Sequence, residues 1–346
     1  CHDIMCKIGE VVVVGGVRRS ALISLSNLGD DQLRHAKSGM WWENNGHRAL
    51  ANNSVAYKNK PEMETFMREW LSLVESKSGE RGIFNRQSAT NQAGKSGRRD
   101  TNYDFGCNPC SEIILRPYQF CNLTEVVVRS DDTLDTLKAK VQVATILGTY
   151  QATLTDFKYL RKIWYENTVD ESLLGVSLTG IMDNKHFNAE SCWHNDDGQI
   201  MWDDSRLSKD LNELRETAIE TNKIWSKKFG INQSTAITCV KPSGTVSQLV
   251  DSASGIHPRH SKYYIRTVRA DNKDPLTQFM KEQGIPNEPD ITKPNSTTVF
   301  SFPMKSPEGA ITRNDMDAID QLRLWRTYQE YWCEHKPSVT ITVKEN

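Results

Sequence analysis

The chain has 346 residues, enough to bury a large core, and its 37% hydrophobic and 25% charged content is that of an ordinary water-soluble protein. Its net charge of -1, with both signs interspersed, gives no indication of a basic surface of the kind that binds nucleic acid. No apolar run reaches the length of a membrane span, and eight irregularly spaced cysteines are too few for a disulfide scaffold. We therefore expect a cytoplasmic protein that acts on small molecules, with no nucleic-acid or membrane partner.

The first elements in chain order combine short apolar runs with polar turns. Val11-Val12-Val13-Val14 is typical of a buried strand or helix end, and it stops at Gly15-Gly16, where Gly16 permits a ligand to approach the backbone. Without further information a structural turn explains these glycines equally well. Residues 41–53 favour a polar loop that contains Arg48 and Asn52, and residues 63–77 have the apolar spacing of a helix. Residues 92–102 are polar and basic, which predicts a surface loop.

The segment Asn108-Pro109-Cys110-Ser111-Glu112 contains a thiol, a carboxylate and an amide within five residues. Asn108, Cys110 and Glu112 have a spacing of two, so in an extended segment their side chains would point to one face. Cys121 follows eleven residues after Cys110, and β-prone runs follow both cysteines. We therefore predict that the two cysteines lie on or near two strands, close enough to meet across a pocket.

Two other interpretations of this segment use Cys107 together with Cys110. A C-x-x-C pair in an intracellular protein is typical of a redox site or of half a zinc site. Zinc would need two more ligands at suitable spacing, and no second C-x-x-C or H-x-x-x-H motif is present. A thioredoxin-like pair should open a helix, whereas an apolar β-prone run follows Cys110. We predict no metal site.

Helices and buried strands are predicted beyond Cys121. Residues 133–164 favour two or three helices, residues 173–180 a buried segment, and residues 208–229 a long amphipathic helix. Residues 184–204 are polar and are typical of a surface insertion. Residues 235–240 and 339–343 have the composition of strands.

The segment Pro242-Ser243-Gly244-Thr245-Val246-Ser247 lies between a predicted strand and a helical pattern. Such a turn directs backbone N-H groups and hydroxyls to one place, as phosphate-binding loops do. It lacks the lysine and the spacing of a P-loop, so ATP hydrolysis is not implied. A plain helix cap is the alternative explanation.

Together, Asn108 to Glu112, Cys121, the segment from Gly15 to Ala21 and the segment from Lys241 to Ser247 resemble the catalytic subunit of ribonucleotide reductase, over the whole chain. The chain most closely resembles class II, the adenosylcobalamin-dependent form. The late pair of adjacent tyrosines typical of the class that borrows a tyrosyl radical is absent from residues 339–343, where the sequence is Val-Thr-Ile-Thr-Val.

This resemblance implies a catalytic mechanism and a role for each residue. Homolysis of the cobalt-carbon bond of adenosylcobalamin would lead to a thiyl radical on Cys110, which abstracts the 3'-hydrogen of the ribose. Glu112 would remove the 3'-OH proton as the 2'-hydroxyl leaves as water, while Asn108 orients the sugar hydroxyls. Cys121 and a second cysteine would supply two electrons and become a disulfide.

The resemblance also implies binding residues and partners. Pro242, Ser243, Gly244, Thr245 and Val246 would bind the phosphates of a ribonucleoside diphosphate or triphosphate, and Gly16 would border the active site. Arg48 and Asn52 would belong to the loop through which a dNTP or ATP effector sets substrate specificity. Thioredoxin or a similar reductant would restore the cysteines.

The implied fold is an α/β barrel of ten strands with Cys110 at the tip of a central finger loop. We expect residues 1–346 to form a single catalytic domain, incomplete at both ends, because the chain begins without methionine and ends just after a predicted strand. One further hypothesis is left open, namely that the chain is a nucleotide-binding fragment with no turnover of its own.

Overall fold

The computed structural model describes residues 1–14, 17–18, 20–196 and 199–343, so the predicted site residue Gly16 lies outside the described residues. In the first 85 residues, helices alternate with short strands. In chain order these are α1 (His2–Val11), β1 (Val13–Val14), β2 (Val17–Arg18), β3 (Leu22–Ser26), α2 (Asp31–Arg34), α3 (Trp41–Asn44), a 3-10 helix (Gly46–Leu50), β4 (Ala51–Tyr57), α4 (Met63–Ser76) and β5 (Gly82–Asn85).

The middle of the chain contains the longest helices. Its elements are α5 (Arg86–Gly94), β6 (Gly106–Cys107), β7 (Ile114–Leu115), β8 (Asn122–Val127), α6 (Leu134–Gln151), α7 (Lys162–Glu171), β9 (Leu174–Thr179), two 3-10 helices (Ile181–Asp183 and Ala189–Cys192), β10 (Trp193–Asp196), β11 (Gln199–Trp202), α8 (Ser205–Phe229), β12 (Thr238–Cys239) and α9 (Thr245–Leu249). The last part contains β13 (Tyr263–Asp271), α10 (Pro275–Glu282), β14 (Asn287–Pro289), β15 (Thr297–Lys305) and α11 (Ala318–Tyr331).

The chain forms two compact units. The first comprises residues 1–85 and 263–305, and the second comprises residues 86–262 and 306–346. In the first unit β3, β4 and β5 form a parallel sheet, while β13, β15 and β14 form an antiparallel sheet. The single catalytic domain expected from the sequence stays a prediction, because compactness of contacts does not define a functional domain.

The second unit is built on the parallel sheet β12-β9-β8. Helix α6 lies in the crossover from β8 to β9 and α8 in the crossover from β9 to β12, as parallel strands require. Every residue of β9 is buried, which is typical of a central strand covered on both faces. Helix α6 packs on β8 and β9, and α8 packs on α6. The second unit also contains the hairpin β6-β7, which carries the predicted catalytic segment.

Helix α8 shows how sequence determines packing in this unit. Leu207, Leu211, Leu214 and Ala218 recur at helical spacing and are all buried in the main core cluster. The helix ends at Gly230, which has a φ of 71° and donates its N-H to the Lys227 carbonyl. Glycine adopts this left-handed conformation without the steric cost that a Cβ atom brings.

Several predicted elements are confirmed. The helices predicted at residues 63–77 and 208–229 correspond to α4 and α8, and the buried segment at 173–180 contains β9. Others are wrong. Val11, at the end of α1, is 84% exposed rather than buried, and the loop predicted at 41–53 consists of α3, a 3-10 helix and the start of β4.

Residues 338–343 do not form a strand. Their N-H groups instead reach separate acceptors: Ser338 donates to the Val240 carbonyl, Thr340 to His257 Nε2 and Thr342 to Gln321 Oε1. The polar stretch at 184–204 is also less superficial than predicted, because Phe187, at 0% exposure, and Cys192 are buried in the core cluster. Whether this stretch is an insertion stays a prediction.

Six sheets of two or three strands each are present, and within the described ranges none closes into a barrel. The α/β composition agrees with the predicted fold class. A ten-stranded barrel is not shown. In the described part of the chain, no helix is long and apolar enough to cross a membrane.

Candidate active site

The segment from Asn108 to Glu112 forms the turn of the hairpin β6-β7. The Ser111 N-H donates to the Asn108 carbonyl at 2.9 Å, and the Asn108 N-H donates to the Ile113 carbonyl at 3.3 Å. Asn and Pro are favoured at the first two positions of such a turn, and Ser111 takes a positive φ of 63°. The prediction of an extended segment is therefore wrong. The turn, rather than a spacing of two, brings the side chains together.

The Glu112 carboxylate is the centre of this turn. Glu112 is 0% exposed, and its Oε1 accepts hydrogen bonds from Asn108 Nδ2 at 2.6 Å and from Lys241 Nζ at 2.5 Å. The Asn108 Oδ1 accepts from the Ile113 N-H at 2.9 Å, which fixes the orientation of the amide. Glu112 Oε2 is buried and has no hydrogen-bond partner among the described residues. A buried oxygen in this state is a strong acceptor for a ligand hydroxyl.

Cys110 and Cys107 differ in their surroundings. Cys110 is exposed at the hairpin turn, where its carbonyl accepts a hydrogen bond from Ser338 Oγ at 3.1 Å. The Cys107 thiol is half-buried and donates to Ser111 Oγ at 3.6 Å, and burial raises its pKa. Within the described ranges, no group of three or more His, Cys, Asp or Glu side chains is placed to hold a metal ion.

Cys121 lies directly before β8, beside a small apolar cluster formed by Ile113, Leu173, Ala236 and Cys239. Burial raises the pKa of the Cys121 thiol well above its usual range, so it stays protonated. Gly175 of β9 makes this packing possible. A Cβ atom at Gly175 would lie 2.5 Å from Leu123 Cδ2 and 3.3 Å from Cys121 Sγ.

His335 connects the hairpin to the central strand. Its Nε2 donates to the Leu174 carbonyl at 2.8 Å, and its Nδ1 accepts from the Ile114 N-H at 3.3 Å. Only a neutral ring can make both bonds, because a protonated ring has no acceptor. Burial, helped by the nearby Arg99 charge, lowers the pKa of His335 to about 3. The neutral imidazole thus holds β7 against β9.

We expect His335 to make stability depend on pH. The unfolded chain binds a proton at this histidine below a pH of about 6.5, whereas the folded chain does not until about pH 3, so the free energy of unfolding falls as pH falls through this window. His335→Gln should cost about 1–3 kcal/mol at pH 7. Between pH 7 and pH 5 the difference in the free energy of unfolding between the wild type and His335→Gln should shrink by up to about 2 kcal/mol. Urea unfolding at both pH values measures this, and a gap independent of pH would contradict it.

A buried ionic network supports the segment between the two cysteines. Arg99 donates from Nε and Nη2 to the Glu171 carboxylate at 2.9 and 2.8 Å, and Gln119 Nε2 donates to the same carboxylate. Gln119 Oε1 in turn accepts the Arg116 N-H at 3.1 Å. Arg99 is 5% exposed, so the surface loop predicted at 92–102 is wrong at this residue. The network holds residues 116–119 against the end of α7.

The predicted phosphate loop runs into the short helix α9, which begins at Thr245. Gly244, Thr245 and Val246 are exposed, Pro242 is half-buried, and no heavy atom lies within 4 Å of the position of a Cβ at Gly244. Ser243 has an internal role instead. Its hydroxyl donates to Glu125 Oε2 at 2.9 Å and accepts from the Ser247 N-H at 3.0 Å. The backbone and Thr245 therefore remain as the groups that face outward.

Arg48 and Asn52 lie in the first unit. Arg48 makes two hydrogen bonds to the Asp3 carboxylate, at 2.8 and 2.7 Å, and one to the Ala36 carbonyl at 2.7 Å. These contacts give the guanidinium a structural role that joins α1 to the 3-10 helix. Asn52 is exposed on β4. Their role in effector recognition stays a prediction.

Sequence reasoning missed the contact of Lys241 with Glu112 and the role of His335. Lys241 precedes the predicted phosphate loop directly, and a cation at that position is the available signal. No spacing in the sequence links it to Glu112, 129 residues earlier. His335 gives no signal, because its partners are backbone groups of two distant strands.

No protein-family model matches the chain. A relative from Lactobacillus delbrueckii subsp. bulgaricus, named adenosylcobalamin-dependent ribonucleoside-triphosphate reductase, is 30% identical over 99% of this chain and 48% of the relative. A crystal structure of a B12-dependent class II ribonucleotide reductase matches with a TM-score of 0.73 at 26% identity, over 98% of this chain and 48% of that one.

The class Id ribonucleotide reductase alpha subunit of Actinobacillus ureae matches with a TM-score of 0.63 at 13% identity, over 99% of this chain and 68% of that one, and shows the fold alone. The chain spans about half the length of the curated relatives it matches. These matches confirm both the ribonucleotide-reductase type of α/β fold and the predicted kinship: the chain is a relative of the class II, adenosylcobalamin-dependent ribonucleotide reductases.

Proposed function

We propose that this chain provides the catalytic hairpin of a protein that reduces ribonucleotides to 2'-deoxyribonucleotides by a thiyl-radical mechanism. One observation carries the proposal. Glu112 is fully buried, its Oε1 receives two hydrogen bonds, its Oε2 has no partner among the described residues, and the exposed Cys110 lies two residues away. A carboxylate in this state is suited to accept the proton of a substrate hydroxyl beside a reactive thiol.

Each residue has a chemical role in this proposal. A thiyl radical at Cys110 takes the 3'-hydrogen atom of the ribose and returns it at the end. Glu112 Oε2 accepts the 3'-OH proton, and the 2'-hydroxyl leaves as water. Asn108 fixes the carboxylate, and its second amide hydrogen is available to a sugar hydroxyl. Cys121 and a second thiol lose two hydrogens and form a disulfide, which balances the reduction.

The surroundings of Cys110 fit a cofactor that starts a thiol radical. Its side chain is exposed at the tip of a hairpin whose backbone is fixed by Ser338, so Cys110 is the residue that would face such a group. When bound, adenosylcobalamin supplies a carbon-centred radical that can remove the hydrogen atom of a thiol. The protein then has to position the substrate and exclude water.

Substrate binding is proposed for the loop from Pro242 to Val246. The open flank of Gly244 and the exposure of Thr245 support contact with phosphate groups of a ribonucleoside diphosphate or triphosphate. Gly16, Arg48 and Asn52 are proposed as further contacts to substrate or effector. Thioredoxin or a similar reductant is proposed to reduce the disulfide that Cys121 forms.

The finer architecture is proposed as well. The parallel sheet β12-β9-β8 and the hairpin that carries Cys110 are the parts expected of a ten-stranded barrel with a central finger loop. The single catalytic domain and the insertion at 184–204 belong to the same proposal. A nucleotide-binding fragment without turnover remains the second candidate for the isolated chain, because it spans half of its relatives' length.

The experiment is an assay of the full-length protein that contains this sequence. We expect deoxyribonucleotide to form from a ribonucleotide with dithiothreitol as reductant, only when adenosylcobalamin is added. Comparing diphosphates with triphosphates identifies the substrate. Equal turnover without adenosylcobalamin would assign the protein to another class, and nucleotide binding without turnover would favour the second candidate.

A further inference from the structure

The two oxygens of the Glu112 carboxylate are not equivalent. Lys241 Nζ and Asn108 Nδ2 both donate to Oε1, at 2.5 and 2.6 Å, while Oε2 is buried without a partner among the described residues. A charge-assisted bond to lysine is shorter and stronger than a neutral one. The arrangement therefore ties down one oxygen and leaves the other to a ligand.

The backbone of Lys241 is fixed on both sides. Its N-H donates at 2.8 Å to the hydroxyl of Ser177, which is completely buried in β9. Its carbonyl lies against Gly255, where a Cβ atom would come within 2.4 Å of the carbonyl oxygen. Ser177 belongs to the central sheet, and Gly255 leaves no space beside the carbonyl. The backbone of Lys241 is therefore fixed in the position from which its side chain reaches Glu112.

We propose that Lys241 is a positioning residue for the general base. With Asn108 it holds Oε1 and brings a positive charge into contact with the carboxylate, so that Oε2 is the oxygen presented to the substrate hydroxyl. Lys241 also directly precedes the loop from Pro242 to Val246, so one residue joins the proposed phosphate site to the proposed base. This inference rests on the proposed function of Glu112 and does not place Lys241 in contact with the reacting atoms.

Lys241 and Glu112 form an ion pair, and Lys241 is the cation that contacts this carboxylate among the described residues. Burial acts against its charge, but the Glu112 carboxylate outweighs that effect and raises the pKa of Lys241 above its ordinary value. Burial lowers the pKa of Lys336 and raises the pKa of the Cys107, Cys121 and Cys239 thiols, which keeps these thiols neutral. The titratable groups that face the pair are Cys107, Cys110, Cys121, Glu125, Cys239 and Lys336.

The test is the pH profile of kcat/KM for ribonucleotide reduction by the full-length protein with adenosylcobalamin. In Lys241→Met the acid limb should move to higher pH by about one pH unit or more, because a cation in contact favours an ionised carboxylate by that amount. Activity on the acid side should fall about tenfold for each pH unit that the limb moves, and it should recover at high pH. Lys241→Arg should keep the wild-type profile.

Lys140→Met is the matched control. Lys140 also pairs with a buried carboxylate, that of Asp132, at 2.5 Å, and belongs to the same unit. Its profile should coincide with the wild type. A Lys241→Met profile lowered by the same factor at every pH would overturn the inference, since that is the result of a purely structural role. If Lys241→Met does not fold, Lys241→Gln takes its place in the same comparison.

Glu112→Gln separates this inference from the proposed function. If Glu112→Gln stays active, the proposed role of Glu112 is wrong, and the inference about Lys241 is wrong with it. If Glu112→Gln is inactive while the acid limb of Lys241→Met stays at the wild-type pH, only the inference about Lys241 is wrong. If Glu112→Gln is inactive and the acid limb moves, both stand.

Discussion

Replacing Cys110 by alanine is expected to reduce deoxyribonucleotide formation by at least about a thousandfold, because no other group can take over the proposed hydrogen-atom transfer. The side chain is exposed at the hairpin turn, so the free energy of unfolding should change by no more than about 0.5 kcal/mol. Nucleotide binding should persist, since the proposed phosphate loop does not depend on this thiol. Product analysis of the full-length protein with adenosylcobalamin and dithiothreitol measures the rate.

Cys107→Ala is the matched control for this variant. The Cys107 thiol is half-buried, bonded to Ser111 Oγ and kept protonated by a raised pKa, so it is a poor partner for redox chemistry. We expect its loss to change the rate by no more than a few fold. Equal and complete loss in both variants would indicate a paired-cysteine site instead of a thiyl radical on Cys110.

The hairpin explains how so short a segment can bring these groups together. The backbone turn from Asn108 to Ser111 places the Asn108 amide on Glu112, and His335 holds the following strand β7 against β9. The buried pair of Arg99 and Glu171 then fixes the chain that leads to Cys121. The elements beneath the turn are therefore rigid, while the thiol itself is exposed.

The residues of the candidate site could be named from the sequence because each has a chemical function that its type reveals. A thiol, a carboxylate and an amide within five residues predict a reactive site whatever the backbone does. The geometry could not be predicted in the same way. A spacing of two favours an extended segment, but Pro109 and the positive φ of Ser111 produce a turn, and local turn preference outweighed the apolar runs on either side.

Contacts between distant residues could not be predicted from the sequence, because they depend on the tertiary fold and leave no local pattern in the chain. Helix α8 was predictable because its apolar residues recur along one local face. The partner of Glu112 is Lys241, which lies just after β12, and the backbone of Lys241 is held by Ser177 in β9. Likewise, Arg99 lies in a basic stretch that is typical of a solvated surface, and its burial is explained by its contacts with the distant Glu171 carboxylate and with the Phe105 ring.

Glu112→Gln is expected to lower kcat by about two to four orders of magnitude, which is the usual contribution of a positioned general base. Glutamine has nearly the same shape, and its oxygen can still accept from Asn108 and Lys241. Its amide nitrogen would then replace Oε2, so the substrate hydroxyl would meet a donor instead of an acceptor. Steady-state kinetics should show a large fall in kcat with little change in nucleotide affinity.

Glu125→Gln provides the control for replacing a half-buried carboxyl group near Lys241. Glu125 accepts a hydrogen bond from Ser243, and burial raises the pKa of its carboxyl group, so a neutral amide can replace it with little loss. We expect its kcat to stay within about threefold of the wild type, as expected where a neutral hydrogen bond is conserved. A similar loss of kcat in both variants would mean that charge in this unit, rather than a base at Glu112, limits the reaction. A loss confined to Glu112→Gln would assign proton removal to the Glu112 carboxylate, whose Oε2 is buried and has no partner among the described residues.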